Sequence, residues 1–188
     1  MGWVQDAYEL DKIIAVPSLI SVNEFVEYLE LQRRVHEKLG VGAGHRWPWA
    51  CDGFIRAAHS LQLISYNREN DTLARTQAAD RVLAEAIVKR VDVYGQEEET
   101  VDYRNSQEVR KLILANPQVV RLLQLLDQNP EGLTKYEIGE IFGFPSEPGF
   151  THITQELRLR SGDPNAEGSS DKYARTYVSW LKQLGWAE

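Results

Sequence analysis

The chain has 188 residues, 43% of them apolar and 26% charged, which fits an ordinary soluble globular protein with room for one large or two small domains. A formal net charge of -7 and a pI near 5.2 count against a protein that grips polyanions mainly by bulk charge, because phosphate affinity scales with the cations placed against it. No apolar run approaches the roughly 20 residues of a membrane span, "MGWVQDAYEL" is no signal peptide, and the single cysteine, Cys51, has no disulfide partner, so a cytoplasmic location is expected.

After a short N-terminal arm, "SVNEFVEYLELQRRVHEKLG" sets Phe25, Tyr28, Leu29, Leu31, Val35 and Leu39 close to helical spacing. It opens on a Ser21-x-x-Glu24 capping signal and closes at Gly40, which predicts an amphipathic helix. "VGAGHRWPWAC" has no periodicity and predicts a loop leading into a helix over "DGFIRAAHSLQL". "ISYNREND" and "TLART" predict two short strands turning near Asn70 and Asp71, and "QAADRVLAEAIVKR" returns to helix. The acidic stretch between Val91 and Ser106 predicts a linker, or at most a strand pair.

Helical signals then resume. "SQEVRKLILAN" is followed by "PQVVRLLQLLDQN", where Pro117 suits a first turn, and "TKYEIGEIFG" starts on a Thr134-x-x-Glu137 capping box. "FPSEPGFTHI" and "LRLRSGDPNAEG" predict loops, and "SSDKYARTYVSWLKQLG" predicts a last helix with Tyr173, Tyr177, Trp180, Leu181 and Leu184 as its apolar side. Aligning Asp52 with Asp171 matches an aromatic two on, an arginine four on and a serine eight on. The two helices could therefore be equivalent, although any capped amphipathic helix can produce so short a match.

Several chemistries are excluded. A common nuclease centre needs an acid-x-Lys pair beside its metal-bound water, yet the seven lysines follow Leu10, His36, Ile87, Val109, Leu133, Ser170 and Trp180 at that spacing. His36, His45, His59 and His152 have no paired zinc-ligand spacing, and Cys51 to His59 would be about 12 Å along a helix. "GVGAG" lacks the Lys-Ser/Thr of a phosphate loop.

"NAEGSSDKYAR" remains. Ser169 or Ser170 suits an N-cap, which puts Lys172 and Arg175 three apart on one face of the first two helical turns. Both can donate to guanine O6 and N7 in a major groove, and Glu167 can accept from cytosine N4. The competing reading is an Asp171/Arg175 ion pair worth about 0.3 to 0.5 kcal/mol on a solvated face, with Lys172 in water, and spacing alone favours it.

"EGSSDKYAR" resembles the recognition-helix block of the second DNA-binding subdomain of the FokI family of type IIS restriction endonucleases. "LTKYEIG", "GFPSEPGFT" and "VVRLLQLLD" are similar to the elements that precede that block, in order. "WACDGFIRAAHSLQLISY" resembles the family's first winged helix, and "GWVQ" its N-terminal arm. The resemblance covers most of the chain except roughly residues 7–48, which are much shorter than the family's equivalent. It implies that Glu167, Lys172 and Arg175 contact the G-rich end of an asymmetric site, GGATG in the best-known member, while Gln5 and Trp49 contact the other end. Asp6 stands where the family has asparagine, a donor lost and a charge gained. Arg46 is the nearest candidate for a further arginine contact, and Asn165 lies where the family has asparagines, with Pro164 replacing one of them. Trp49 reads equally well as a core aromatic.

The fold class expected is mainly α, with two tandem winged-helix (helix-turn-helix type) subdomains carrying short β-hairpins. Residues 1–90 would form the first subdomain with its arm, 91–106 a linker, and 107–188 the second, with its wing cut off after the last helix. The resemblance implies sequence-specific recognition of double-stranded DNA as the front of a modular enzyme. A nuclease domain or subunit outside this chain would use Mg2+, so no catalytic residue, metal ligand or cofactor is expected here, and no membrane contact. A free-standing winged-helix transcription regulator is the alternative, and a module turned to protein contacts is another.

Overall fold

Residues 7–44, 47–91, 97–142, 155–163 and 165–187 are described by the computed structural model. Between the expected short arm and the first expected helix, Leu10–Ala15 form helix α1, followed by a 3-10 turn over Val16–Leu19, and Leu10, Ile13, Ile14, Val16 and Ile20 are buried. Six helical residues make fewer than two turns, too few to show a period.

The capping signal at Ser21 is used differently from expectation. Ser21 N–H donates to Glu24 Oε2 at 2.7 Å and Glu24 N–H to the Ser21 carbonyl at 3.1 Å, closing a turn. Glu24 also takes Arg34 at 2.8 Å; that bond, then the Ser21 backbone, holds its carboxyl down to about 2. Val26–Glu27 form strand β1, and helix α2 begins only at Tyr28, running Tyr28–Leu39 to Gly40 in the left-handed region at φ 62°. Phe25 and Leu29, expected on the apolar face, are 72% and 66% exposed, while Leu31 and Val35 carry the packing.

Helix α3 spans Trp47–Ser60, starting earlier than expected because Pro48 suits a first turn and Gln32 Nε2 holds the Pro48 carbonyl at 3.1 Å. Strands β2 (Ile64–Asn67) and β3 (Thr72–Arg75) pair antiparallel with Asn67 opposite Thr72. Asp71 takes φ 51° at the turn, as its residue type allows. β1 joins β3 through Val26 opposite Leu73, giving sheet order β1-β3-β2, and α4 (Gln77–Ala86) follows. Helices capped by a hairpin wing are the winged-helix-like arrangement expected of this part of the chain.

The acidic stretch contributes to a strand pair, β4 (Ile87–Val91) with β5 (Glu97–Val101). Helix α5 (Gln107–Leu114) is capped by Ser106 and also by Glu85 of α4, whose carboxylate accepts the Gln107 and Glu108 N–H groups at 2.8 Å each. Helix α6 (Pro117–Asp127) is capped by Asn116, and α7 (Lys135–Phe142) by the reciprocal Thr134/Glu137 bonds that the sequence announces. Gln155–Ser161, which includes residues expected as loop, form α8. Helix α9 is Ser169–Gln183, with Tyr177, Trp180 and Leu181 buried as expected. The expectation for "FPSEPGFTHI" lies outside the described residues.

One apolar cluster runs through the described chain, taking in Ile13 of α1, Ile55 of α3, Val82 of α4, Ile113 of α5, Leu122 of α6 and Trp180 of α9. The beginning of the described chain lies along α9: Trp180 Nε1–H donates to the Ala7 carbonyl at 2.8 Å, and Leu10 N–H donates to Gln183 Oε1 at 2.9 Å.

Candidate nucleic-acid interface

The start of α9 is fixed by its own sequence and by α7. Gly168, not Ser169 or Ser170, occupies the cap, and its N–H donates to Asp171 Oδ2 at 2.8 Å. Asp171 is buried, so it serves the helix end. Across from it, Gly139 of α7 leaves space that no side chain could occupy: a Cβ there would fall 2.2 Å from Asp171 Oδ1 and 3.0 Å from its Cα.

From that anchored end the chain presents its cations. Lys172 is partly exposed, and its ammonium has no hydrogen-bond or ionic partner among the described residues. Arg175, one turn on, is held from two sides. Its Nη1 lies 3.1 Å from Glu167 Oε2; its guanidinium sits 4.7 Å over the Tyr8 ring and donates to the Tyr8 hydroxyl. Glu167 bridges two cations, because its other oxygen takes Lys135 Nζ at 2.7 Å, and its side chain is only 10% exposed. That hydrogen bond raises the Lys135 ammonium above the ordinary lysine value. Glu167, which helix spacing does not single out as an ionic partner of Arg175, stands at salt-bridge distance from it.

Lys135, Arg175 and Lys182 line a cavity of about 760 Å3 between residues 129–133, α7 and α9; among its described lining residues Glu131 is the single carboxylate. Those three cations are set against Glu131 in the lining and Glu167, which pairs with Lys135 and Arg175.

The other candidate face is α3. Trp49 in its first turn is 86% exposed, which removes the core-aromatic reading. Asp52 beneath it accepts the Tyr28 hydroxyl and pairs with Arg56 at 2.9 Å. Cys51 is buried, and burial pushes its thiol up to about 11. Of the aligned acids, Asp52 pairs with Arg56 and Asp171 accepts the Gly168 N–H at the start of α9. Asn165 is exposed, its N–H bonded to Asp163 Oδ1 at 2.9 Å. Gln5, Asp6 and Arg46 lie outside the described residues.

Sequence reasoning missed Lys135 and Tyr8. Lys135 adjoins the Thr134 capping box but carries no signal of its own, and Tyr8 is 167 residues from the arginine it touches. No group of three or more His, Cys, Asp or Glu able to hold a metal occurs among the described residues.

Winged-helix-like elements at the front and a cation-bearing helix at the back define a mainly helical chain of winged-helix-like type. In sequence it is similar to the type II restriction enzyme FokI of Planomicrobium okeanokoites, 33% identical over 148 residues that make up 73% of this chain and 23% of that enzyme. In structure it is similar to FokI bound to DNA, with TM-score 0.64 and 24% identity over 98% of this chain and 41% of that one. It is similar also to a second FokI structure, with TM-score 0.63 and 25% identity over 98% of this chain and 40% of that one. No protein-family model matches. The chain is therefore FokI-like in sequence and fold, and it spans 23% of the curated relative's length.

Proposed function

We propose that this chain recognises double-stranded DNA sequence-specifically, at a GGATG-like asymmetric site, as the recognition part of a FokI-like type IIS restriction endonuclease. The observation that carries this reading is the first two turns of α9: Lys172 offers an ammonium without a partner among the described residues, and Arg175 a guanidinium already oriented by Glu167 and Tyr8. A side chain that is held before binding loses less freedom on reaching a base edge.

In this reading Lys172 and Arg175 donate to guanine O6 and N7. Glu167 accepts from cytosine N4 while keeping its two cations, since a carboxylate has about four acceptor sites. Trp49, Gln5, Asp6 and Arg46 serve the other end of the site, and Asn165 lies beside the α9 contacts. Residues 1–90 and 107–188 act as two recognition subdomains joined by 91–106. Cleavage is assigned to a nuclease domain or subunit using Mg2+, and the location to the cytoplasm; no described helix is long and apolar enough to cross a membrane.

Lys172→Ala tests the reading. It should cost about 1 to 3 kcal/mol of affinity for a GGATG duplex and relax preference at one guanine, with a much smaller change on a scrambled duplex, measured by fluorescence anisotropy titration. A uniform loss on both duplexes would make Lys172 a phosphate contact instead.

A further inference from the structure

Arg175 is held by a residue from the far end of the chain. The Tyr8 ring lies under its guanidinium at 4.7 Å, and the Tyr8 hydroxyl accepts one of its N–H groups. Tyr8 is itself fixed through its backbone, because its carbonyl accepts from Ser179 Oγ at 3.2 Å and from Gln183 Nε2 at 2.5 Å. The neighbouring Ala7 carbonyl accepts the Trp180 indole N–H at 2.8 Å. These acceptors lie along one side of α9, so the platform under Arg175 moves with the helix that carries Arg175.

We propose that Tyr8 is a positioning residue for base readout: it fixes the plane of the Arg175 guanidinium so that its fork faces a guanine edge. This rests on the DNA-reading function proposed above. An arginine reads guanine through two parallel N–H bonds, and a fork free to rotate loses that bidentate geometry before it loses its charge. Glu167 and Tyr8 restrain the group from different directions, the carboxylate through Nη1 and the phenol through Nη2 and the ring face. Removing Tyr8 leaves the attraction for DNA in place and loosens the discrimination.

The test compares wild type, Tyr8→Phe, Tyr8→Ala, Arg175→Ala and the Tyr8→Ala/Arg175→Ala double variant on a GGATG duplex. Companion duplexes carry 7-deazaguanine, which lacks the N7 acceptor, at one guanine at a time. Thermal melting verifies that each variant is folded. For wild type, Arg175→Ala identifies the guanine whose 7-deaza penalty depends on Arg175. Tyr8→Ala should shrink the penalty at that guanine about three- to tenfold and leave the penalties at the other guanines unchanged. Tyr8→Phe, which keeps the ring but loses the hydroxyl that accepts from Arg175, should shrink the penalty at that guanine about two- to threefold and serves as the readout if Tyr8→Ala does not fold. In the Arg175→Ala background, Tyr8→Ala should remove no further N7 discrimination.

An equal loss of affinity on every duplex, or an unchanged penalty in both Tyr8 variants, would overturn the positioning role. Those results leave the functional reading intact provided that wild type prefers the GGATG duplex to a scrambled one. If wild type has no such preference, the functional reading fails and takes this role with it.

Discussion

Glu167 carries an unusual load for one carboxylate in a partly open position. Its oxygens separately hold Lys135 at 2.7 Å and Arg175 at 3.1 Å, and its side chain is 10% exposed. Glu167→Gln would keep the shape, remove the charge that orders both cations, and make the surface more basic. Affinity for scrambled duplex should then rise while preference for the GGATG duplex falls several-fold, because non-specific binding follows charge and specific binding follows geometry. Parallel titrations of the two duplexes check this, and an unchanged ratio would mean that Glu167 orders nothing that matters for reading. At this scale the sequence is informative where spacing is local. Lys172 and Arg175 are three apart on α9, and Glu167 lies just before its Gly168 cap, so the three stay close through local chain geometry. Tyr8 and Lys135 reach the site across 167 and 32 residues, and no local pattern encodes such meetings. Trp49 shows the same limit, because a tryptophan before a helix suits a core or a surface, and only its 86% exposure decides.

Among the elements, the packing of α7 on α9 sets where Lys172 and Arg175 point. Gly139 permits it. In an ordinary helix interior, glycine to alanine gains about 0.5 to 1 kcal/mol. Here the added methyl would sit 2.2 Å from Asp171 Oδ1, on the residue that caps α9, so Gly139→Ala should instead destabilise by about 1 to 3 kcal/mol. The measurement is a thermal melt beside a GGATG titration. A raised melting temperature would show that the two helices can separate without cost. Capped helices were legible in the sequence: Thr134/Glu137, Asn116 with Pro117, and the Asp71 turn all act as their residue types dictate. Ser21/Glu24 misleads because Arg34 and the pairing of Val26 with Leu73 draw the segment into a turn and a strand, delaying the helix to Tyr28. The six-residue α1 has no readable period at all.

Across the whole molecule, α4 is fastened to α5 by Glu85, which accepts two backbone N–H groups and the Ser106 hydroxyl. The Glu108 and then the Gln107 backbone bonds lower the Glu85 carboxyl below its ordinary 4.5. A carboxyl depressed in the folded chain contributes stability that is complete above the unfolded value and is lost as pH falls through the folded one. Melting temperature should therefore drop below about pH 4.5, and part of that drop should vanish in Glu85→Gln, whose melting temperature should already be lower at pH 7. Identical pH profiles for the two proteins would deny Glu85 this fastening role.

The proposed recognition of a particular duplex needs the oriented arginine, the anchored helix and the fastened chain together. The most direct measurement is a titration of the 188-residue protein, at physiological salt, with a labelled GGATG duplex and a scrambled duplex of equal length and composition. Tighter binding of the GGATG duplex by a factor on the order of 1,000 or more is expected of a specific reader. Equal affinity for the two duplexes would contradict it.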